Sequence, residues 1–278
     1  MRKLFKVLLV ETRNICTRAC WFCKFGQERQ DESTVQMDWD TIERIVYNLR
    51  DLKYDGRISW FFINEPLLDK RIPQILRLTR ANCPKAFITL NTNGDLLNEV
   101  TYEGLIKSGL DALGVSIYDD AAFEKVHKVK HDKRLVILDM RHPARGDLEN
   151  RGGNIKTNSG FFEEDKFQFA DKSCGQPFTM MAVNVKGQVV LCCADMYADV
   201  VMGDVKTQRL ESIWNSEIFE HYRNHLNASG RKGLKLCDGC SHNGKASPTY
   251  YPLQRRPSSF SNVVVPIGRL VRDYWNGT

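Results

Sequence analysis

The sequence has no apolar run long enough for a membrane span or for the core of a signal peptide. Its longest apolar stretch near the start, Val7 to Val10, is flanked by Lys6 and Glu11. It also has no Lys/Arg tract with interleaved aromatics, and a formal charge of +6 is mild for 278 residues. Since 42% hydrophobic residues suffice for a core, we expect a folded cytoplasmic protein without a membrane or nucleic-acid partner.

The cysteines do not suit a disulfide framework. Nine is an odd number, and a reducing compartment keeps thiols free. Their grouping favours metal binding instead. Two groups are tight, Cys16/Cys20/Cys23 and Cys237/Cys240. The remaining cysteines are Cys174, the adjacent pair Cys192-Cys193 and the isolated Cys83.

The first half of the chain alternates short apolar runs with amphipathic stretches, the pattern of β/α units around a largely parallel sheet. The predicted strands are Lys6 to Glu11, Arg57 to Ile63, Ala86 to Asn91, Ala112 to Ile117 and Leu135 to Asp139. The predicted helices are Trp39 to Leu52 with Asp38 as N-cap, Arg71 to Arg80 and Val100 to Ser108. These units predict an α/β fold with a partial (β/α) barrel.

The second half predicts a smaller α+β module. Arg141 to Gly160 is polar and Gly-rich, as in a connection or an active-site loop. The predicted elements after Cys174 are a hairpin, Met180 to Val185 with Gln188 to Leu191, and a helix near Leu210 to Leu226. We expect a barrel at 1–160, the module at 161–245 and a tail at 246–278, which either docks on the body or stays mobile.

Cys16, Cys20 and Cys23 form a C-x3-C-x2-C pattern directly after the first predicted strand, with Phe22 before the last cysteine. Three thiolates this close can hold three irons of a cubane cluster and leave the fourth iron open to a chelating ligand. The alternative interpretations are a structural zinc site with one ligand still unidentified, and chance.

This pattern resembles that of the radical SAM superfamily. The resemblance implies that the open iron binds S-adenosylmethionine, whose reductive cleavage releases a 5'-deoxyadenosyl radical. It also implies cofactor contacts by polar residues at strand ends and by the aromatic residue of the motif: Phe22, Asn64, Glu65, Asn93 and Ser116. Asn64 stands where the family usually has glycine. Each of these polar residues alone could equally be an ordinary strand-end cap.

Cys174, Cys192, Cys237 and Cys240 could complete a cluster with no open iron, which suits electron transfer or structure. Spacing alone leaves a four-cysteine zinc site equally possible. The segment resembles the twitch module, a short form of SPASM, which implies a second 4Fe-4S cluster. The resemblance further implies a small-molecule or peptide-like substrate and an external electron donor such as flavodoxin or ferredoxin.

Two cysteines are left over. Cys83 is expected in the core. Cys193 is expected to face the barrel mouth if Cys192 faces the cluster, because strand side chains alternate. It could be a hydrogen donor, a packing residue or a spare cluster ligand. Arg151, in an Arg-Gly-Gly run shared with twitch enzymes, is a candidate substrate contact or a solvated loop residue.

Two reactions fit these residues. The first hypothesis is epimerisation of a carbon in a sugar, aminocyclitol or peptide-like product, with Cys193 donating hydrogen, as the resemblance to radical SAM epimerases implies. The second is oxidation of an alcohol to a ketone with the auxiliary cluster accepting an electron, and with a base among Glu149, Asp195 and His142.

A third hypothesis, from another class, is a non-catalytic protein that uses both cysteine groups to bind zinc. His127 and His131, at i and i+4, could also hold zinc on a helix. The lysines around these two histidines favour a solvated basic face there instead.

Overall fold

The computed structural model describes residues 4–27, 34–142, 148–155, 168–244 and the short strand 265–266. The strands are β1 Val7–Val10, β2 Arg57–Ser59, β3 Phe87–Thr92, β4 Ala112–Ile117, β5 Leu135–Asp139, β6 Met180–Val183, β7 Gln188–Val190, β8 Val201–Asp204 and β9 Val265–Pro266. The helices are α1 Lys24–Gln27, α2 Trp39–Asp51, α3 Ile72–Asn82, α4 Glu99–Lys107, α5 Asp120–His127, α6 Gln176–Thr179, α7 Leu210–Trp214 and α8 Glu217–Ser229, with a 3₁₀ turn at Pro66–Leu68.

In the described part of the chain, these strands form one sheet in the order β8-β7-β6-β1-β2-β3-β4-β5-β9. Pairing is parallel from β6 to β9. Strands β7 and β8 continue antiparallel from β6. The helices between the parallel strands make this the predicted α/β partial barrel, with a small α+β part at its C-terminal side.

The two faces of the sheet carry two separate apolar clusters, because side chains alternate along a strand. In β1, Leu8 and Val10 pack in the large core that α2 and α3 cover. Val7 and Leu9 pack in a smaller cluster on the opposite, inner face. Fully buried Ile45 on α2 contributes to the large core, where burial of such a side chain stabilises by about 1.5–3 kcal/mol. Asp38 caps α2 as predicted, its Oδ1 accepting from Thr41 N at 2.7 Å.

The sheet runs on into the second half of the chain. Strand β6 pairs in parallel with β1, from Val7 opposite Met180 to Val10 opposite Val183. Since all four residues of β1 are buried, a free edge there would leave buried backbone groups without partners. Pairing with β6 satisfies them and anchors the cysteine-rich C-terminal part on the barrel.

Three sequence predictions differ from the structure. The helix predicted near 210–226 is two helices, since Ser216 between them has extended backbone (φ −69°, ψ 155°). Strand β2 ends at Ser59 and not at Ile63, because Asn64 Oδ1 accepts from Phe62 N at 3.1 Å and bends the chain. The helix that includes His127 ends at that residue.

His131 therefore lies beyond the helix, which removes the basis of the zinc-clasp alternative, and His127 with the neighbouring lysines is exposed, as the favoured interpretation expects. Each ring bonds a nearby carbonyl instead: His127 Nδ1 lies 2.9 Å from Phe123 O, and His131 Nδ1 lies 2.6 Å from Val129 O.

In the expected tail, β9 pairs with β5, with Val265 opposite Leu138. The rest of that tail, and the expected boundary at residues 160 and 161, lie outside the described residues. Within the described ranges, no helix has the length and apolar character to span a membrane.

Candidate active site and auxiliary cysteine site

The loop of the first cysteine group follows β1, at the edge where the parallel strands end and where ligands of such folds bind. Cys23 N donates to Cys20 O at 2.9 Å, and Gly26 N donates to Cys23 O at 3.0 Å. A Cβ on Gly26 would overlap the Cys20 carbonyl. Only glycine therefore allows the loop to close this tightly, which sequence analysis missed.

Glu65 connects this loop to the ends of β2 and β3. Its backbone N donates to Ile15 O at 2.9 Å. Its carboxylate, 1% exposed, accepts from Leu67 N at 3.0 Å, Thr92 Oγ1 at 2.7 Å and Asn93 N at 2.9 Å. Burial nevertheless raises the pKa of Glu65. An ammonium group beside this carboxylate would relieve the cost of its buried charge.

The other expected cofactor residues surround the same loop. Asn93 Nδ2 donates to Thr17 Oγ1 at 2.8 Å and to Cys16 Sγ at 3.7 Å. The Phe22 ring lies 5.5 Å from the Tyr118 ring, and Ser116 at the end of β4 hydrogen-bonds Tyr118. The buried Asn64 Nδ2 has no hydrogen-bond partner among the described residues.

Arg18, inside the cysteine motif, fixes the loop to two later segments, and sequence analysis missed it. Its guanidinium forms a fork with Asp95, with distances of 2.5–3.0 Å, and donates to Asp119 at 2.7 Å. These partners follow β3 and β4. A bidentate arginine pair is a strong, directional contact that holds the loop in one orientation.

The second cysteine group lies around one cavity of about 400 Å³, which includes the part open to solvent. The predicted ligands Cys174, Cys192, Cys237 and Cys240 all line it, although they come from three separate segments. Cys193, Glu149, His242 and Arg231 are further lining residues.

Asn150 holds the Cys237–Cys240 turn against the barrel, and no sequence signal marked it. It is 1% exposed. Its backbone N donates to Ser241 Oγ at 2.9 Å, its Nδ2 donates to Gly239 O at 2.7 Å, and its Oδ1 accepts from Ser241 N at 2.9 Å. Gly152 (φ +67°) lies so close to Leu236 that a Cβ would come within 2.6 Å of Leu236 Cδ1. The Arg-Gly-Gly run therefore packs against the start of the Cys237–Cys240 turn.

Arg151 and Cys193 lie between the two cysteine groups. Arg151 Nη1 donates to Cys193 O at 3.3 Å. Although burial opposes it, the pKa of Arg151 is raised by Glu149, Cys193, Cys23 and Tyr118, which are all within electrostatic reach. Cys193 packs against the inner-face apolar cluster, as Cys23 does, and also lines the auxiliary cavity.

The three candidate bases have different surroundings. His142 is exposed. Asp195 is 1% exposed, and its carboxylate accepts from Asp199 N at 2.7 Å and Val200 N at 3.0 Å, so it shapes the loop after Cys193. Glu149 lines the cavity, with Oε1 3.4 Å from His242 Nε2. Gly244 N donates to His242 Nδ1 at 2.9 Å, and the Gln176 side-chain nitrogen lies 3.2 Å from His242 Nε2.

The donor set fits iron-sulfur clusters. Burial raises the pKa of Cys16, Cys20 and Cys240 to about 11 and that of Cys237 to about 12, so each thiolate needs a nearby positive centre. In the part of the chain that is described, no three His, Cys, Asp or Glu side chains converge as ligands of a single ion. Cysteine thiolates are the ligands that hold iron-sulfur clusters in proteins.

Comparisons with known proteins agree with this geometry. The radical SAM superfamily matches residues 10–136, and the SPASM iron-sulfur cluster-binding domain matches residues 174–241. The S-adenosyl-L-methionine-dependent 2-deoxy-scyllo-inosamine dehydrogenase of Niallia circulans is 30% identical over 256 residues, which are 87% of this chain and 95% of that protein.

Solved structures give the same result. The crystal structure of BtrN in complex with AdoMet and 2-DOIA has a TM-score of 0.78 and 28% identity, covering 90% of this chain and 98% of that chain. Native anSMEcpe with bound AdoMet has a TM-score of 0.53 and 14% identity, covering 84% and 88%, and shows the fold alone.

The chain belongs to the radical SAM superfamily, and it is a radical SAM enzyme with a SPASM-type iron-sulfur segment. The family resemblance, the fold class and the predicted cofactors, S-adenosylmethionine and 4Fe-4S clusters, are confirmed.

Proposed function

We propose that this enzyme is a dehydrogenase that oxidises a secondary alcohol of a small cyclic polyol or aminocyclitol to a ketone. The observation that carries the proposal is that one cavity is lined both by four cysteines and by the Glu149 carboxylate. Oxidation needs acceptors for an electron and a proton in one place. The 30% identity with a dehydrogenase over most of the chain favours this reaction over epimerisation, the first hypothesis from the sequence.

Cys16, Cys20 and Cys23 hold the first cluster, and Phe22, Asn64, Glu65, Asn93 and Ser116 bind S-adenosylmethionine. Cys174, Cys192, Cys237 and Cys240 hold the second cluster. We also propose the division into a barrel at 1–160, a twitch module at 161–245 and a tail, a cytoplasmic location, and an external flavodoxin or ferredoxin as electron donor.

Conversion of an alcohol carbon to a ketone removes one hydrogen atom, then one proton and one electron. When bound, S-adenosylmethionine with the first cluster supplies the radical that takes the hydrogen atom, and the second cluster accepts the electron. Glu149 takes the hydroxyl proton. The Glu149 side chain lines the same cavity as the four cysteines, with Oε1 3.4 Å from His242 Nε2, so proton and electron would leave the substrate at one place.

Arg151 orients the substrate in this proposal. Its contact with the Cys193 carbonyl and its position between Cys23 and Cys193 support this role. A guanidinium offers five donors in a fixed plane, which suits neighbouring hydroxyl groups of a cyclic polyol.

Epimerisation is a second candidate, favoured by the location of Cys193. That side chain packs on the inner face together with Cys23, as a hydrogen donor to a substrate radical requires. The thiol would give its hydrogen atom to the opposite face of the carbon, and the resulting sulfur radical would return to the thiol with an electron from the external flavodoxin or ferredoxin and a proton from solvent.

The test is anaerobic turnover of the reconstituted enzyme in deuterated water, with a panel of aminocyclitols and cyclic polyols that begins with 2-deoxy-scyllo-inosamine. Mass spectrometry of the product separates the two candidates. A ketone without solvent deuterium supports dehydrogenation. An epimer that carries one solvent deuterium contradicts it and supports Cys193 as donor.

A further inference from the structure

A buried cation lies beside the auxiliary cavity. Arg231 is 1% exposed and lines the cavity together with the four auxiliary cysteines. Arg231 therefore lies in one cavity with cysteines from three different segments.

The guanidinium also joins those segments mechanically. Nη1 donates to Cys240 O at 3.3 Å and to His242 O at 2.5 Å, and Nη2 donates to Ser173 O at 3.2 Å. The backbone N of Arg231 donates to Ala170 O at 2.7 Å. One side chain thus ties the residue before Cys174 to the turn that contains Cys240.

Within the described residues, Arg231 forms no ion pair: its hydrogen-bond partners are carbonyls, and its guanidinium carbon lies 5.3 Å from the centre of the Phe169 ring. Its buried Nε has no partner there either. A buried cation is costly unless a negative charge compensates it. A 4Fe-4S cluster with four thiolates has a formal charge near minus two, which becomes more negative by one on reduction. The cavity and its orphaned donor therefore fit an anionic cluster.

We propose that Arg231 is the counter-ion and positioning residue of the auxiliary cluster, and that it raises the cluster's reduction potential. A fixed positive charge favours the reduced form, which is the more negative one. Net charge and hydrogen bonds to sulfur are among the properties that set such potentials. The effect of Arg231 on the potential does not depend on the reaction. Only the use of the raised potential, to accept the substrate electron, rests on the proposed dehydrogenase function.

The experiment uses the full chain with Cys16, Cys20 and Cys23 replaced by alanine, so that only the auxiliary cluster forms. Its potential is measured without substrate by a redox titration followed by electron paramagnetic resonance. Arg231→Gln is expected to lower the equilibrium constant for reduction about tenfold, or about 59 mV for one electron. Arg231→Lys keeps the positive charge, so its potential is expected to fall by less than half as much as that of Arg231→Gln.

The matched control is Arg223→Gln. Arg223 is as buried as Arg231, lies 4.0 Å from the Trp214 ring and donates to Pro177 O at 2.9 Å, but does not line the cavity. The Arg223→Gln variant should leave the reduction potential of the auxiliary cluster unchanged. An unchanged potential in Arg231→Gln, or an equal shift in the control, would overturn the proposal.

A second measurement covers the case in which Arg231→Gln fails to take up iron. The melting temperature of wild type and of Arg231→Met is compared with and without the cluster. The cluster should raise the melting temperature of wild type more than that of the variant, because only wild type gains a compensated cation. An equal rise in both proteins, or no fold in the cluster-free variant, contradicts the counter-ion role.

These results are independent of the reaction. A potential shift without any ketone product would keep the role of Arg231 and reject the dehydrogenase. Ketone formation by the wild-type enzyme, with an unchanged potential in Arg231→Gln, would keep the dehydrogenase function and reject the role of Arg231.

Discussion

The two cysteine sites of this enzyme are built in opposite ways. The first takes all its cysteines from one loop, Cys16 to Cys23, whose tight turns close on themselves through Gly26. The second takes its cysteines from three segments far apart in the chain, brought together around one cavity. Two residues that are not ligands support this arrangement: Arg231 ties the segment before Cys174 to the turn that contains Cys240, and Asn150 ties that turn to the Arg-Gly-Gly loop.

This difference shows how each site depends on the fold. The first site needs the sheet to present Glu65 and Asn93, but its spacing is local. The second depends on the pairing of β6 with β1 and on the contact between the Arg-Gly-Gly loop and the Cys237–Cys240 turn. Substitutions of non-ligand residues should therefore damage the second site more readily than the first.

The largest effect is expected from Cys20→Ala. Without this thiolate the first cluster loses a ligand, and formation of 5'-deoxyadenosine should stop while the second cluster remains. The assay is chromatography of 5'-deoxyadenosine together with iron content. Cys83→Ala is the control, since Cys83 lies in the large core and its loss should cost roughly 1 kcal/mol of stability with full activity.

Cys237→Ala should separate the two sites. It removes an auxiliary ligand that is 8% exposed, so the second cluster should be lost while 5'-deoxyadenosine still forms without ketone. Comparing both products in one reaction measures this uncoupling. Ketone formation at the wild-type rate would mean that the second site does not accept the electron.

Glu149→Gln should lower the rate of ketone formation by about 10²–10⁴-fold, the usual contribution of a positioned base. The amide keeps the shape of the side chain but cannot take the proton, and iron content should be unchanged. Glu217→Gln, at an exposed position of α8, is the matched control. If both variants react at the wild-type rate, the base lies elsewhere.

Asn150→Ala should weaken the second site without touching a ligand. The loss of the buried hydrogen bonds to Gly239 and Ser241 should cost about 1–3 kcal/mol and reduce iron uptake at the auxiliary site. Thermal unfolding and iron analysis measure both effects. The control is Asn82→Ala, which loses one bond to Leu78 O on α3 and should leave iron content unchanged. Equal iron loss in both variants would contradict the role of Asn150 in holding the Cys237–Cys240 turn.

Cys193→Ala should have the smallest effect. If the enzyme is a dehydrogenase, Cys193 is a packing residue and ketone formation should stay within a few-fold of wild type. Product analysis by mass spectrometry is sufficient. Complete loss of product with continued 5'-deoxyadenosine formation would instead support the epimerase candidate.

The sequence predicted those features that depend on local spacing. The first cysteine loop, the parallel strands and the cap at Asp38 follow from short patterns, and the structure contains them. Which cysteines bind the clusters stays a prediction. Pairing of β6 with β1, the break at Ser216 and the end of α5 at His127 depend on long-range packing or on single turns, which periodicity does not encode.

The residues around the second site were the least predictable. Asn150 and Arg231 act through backbone carbonyls and amides of distant segments, which carry no mark in the sequence. Among the possible bases, only packing distinguishes Glu149, which lines the cavity, from Asp195, whose carboxylate binds its own loop.

We expect the chain to hold two independent clusters, one on each cysteine group. The most direct test counts iron and sulfide per chain in wild type, Cys20→Ala and Cys237→Ala after anaerobic reconstitution. We expect about eight irons in wild type and about four in each variant, since each cluster contains four. About four irons in wild type, or zinc in place of iron at the second group, would contradict it.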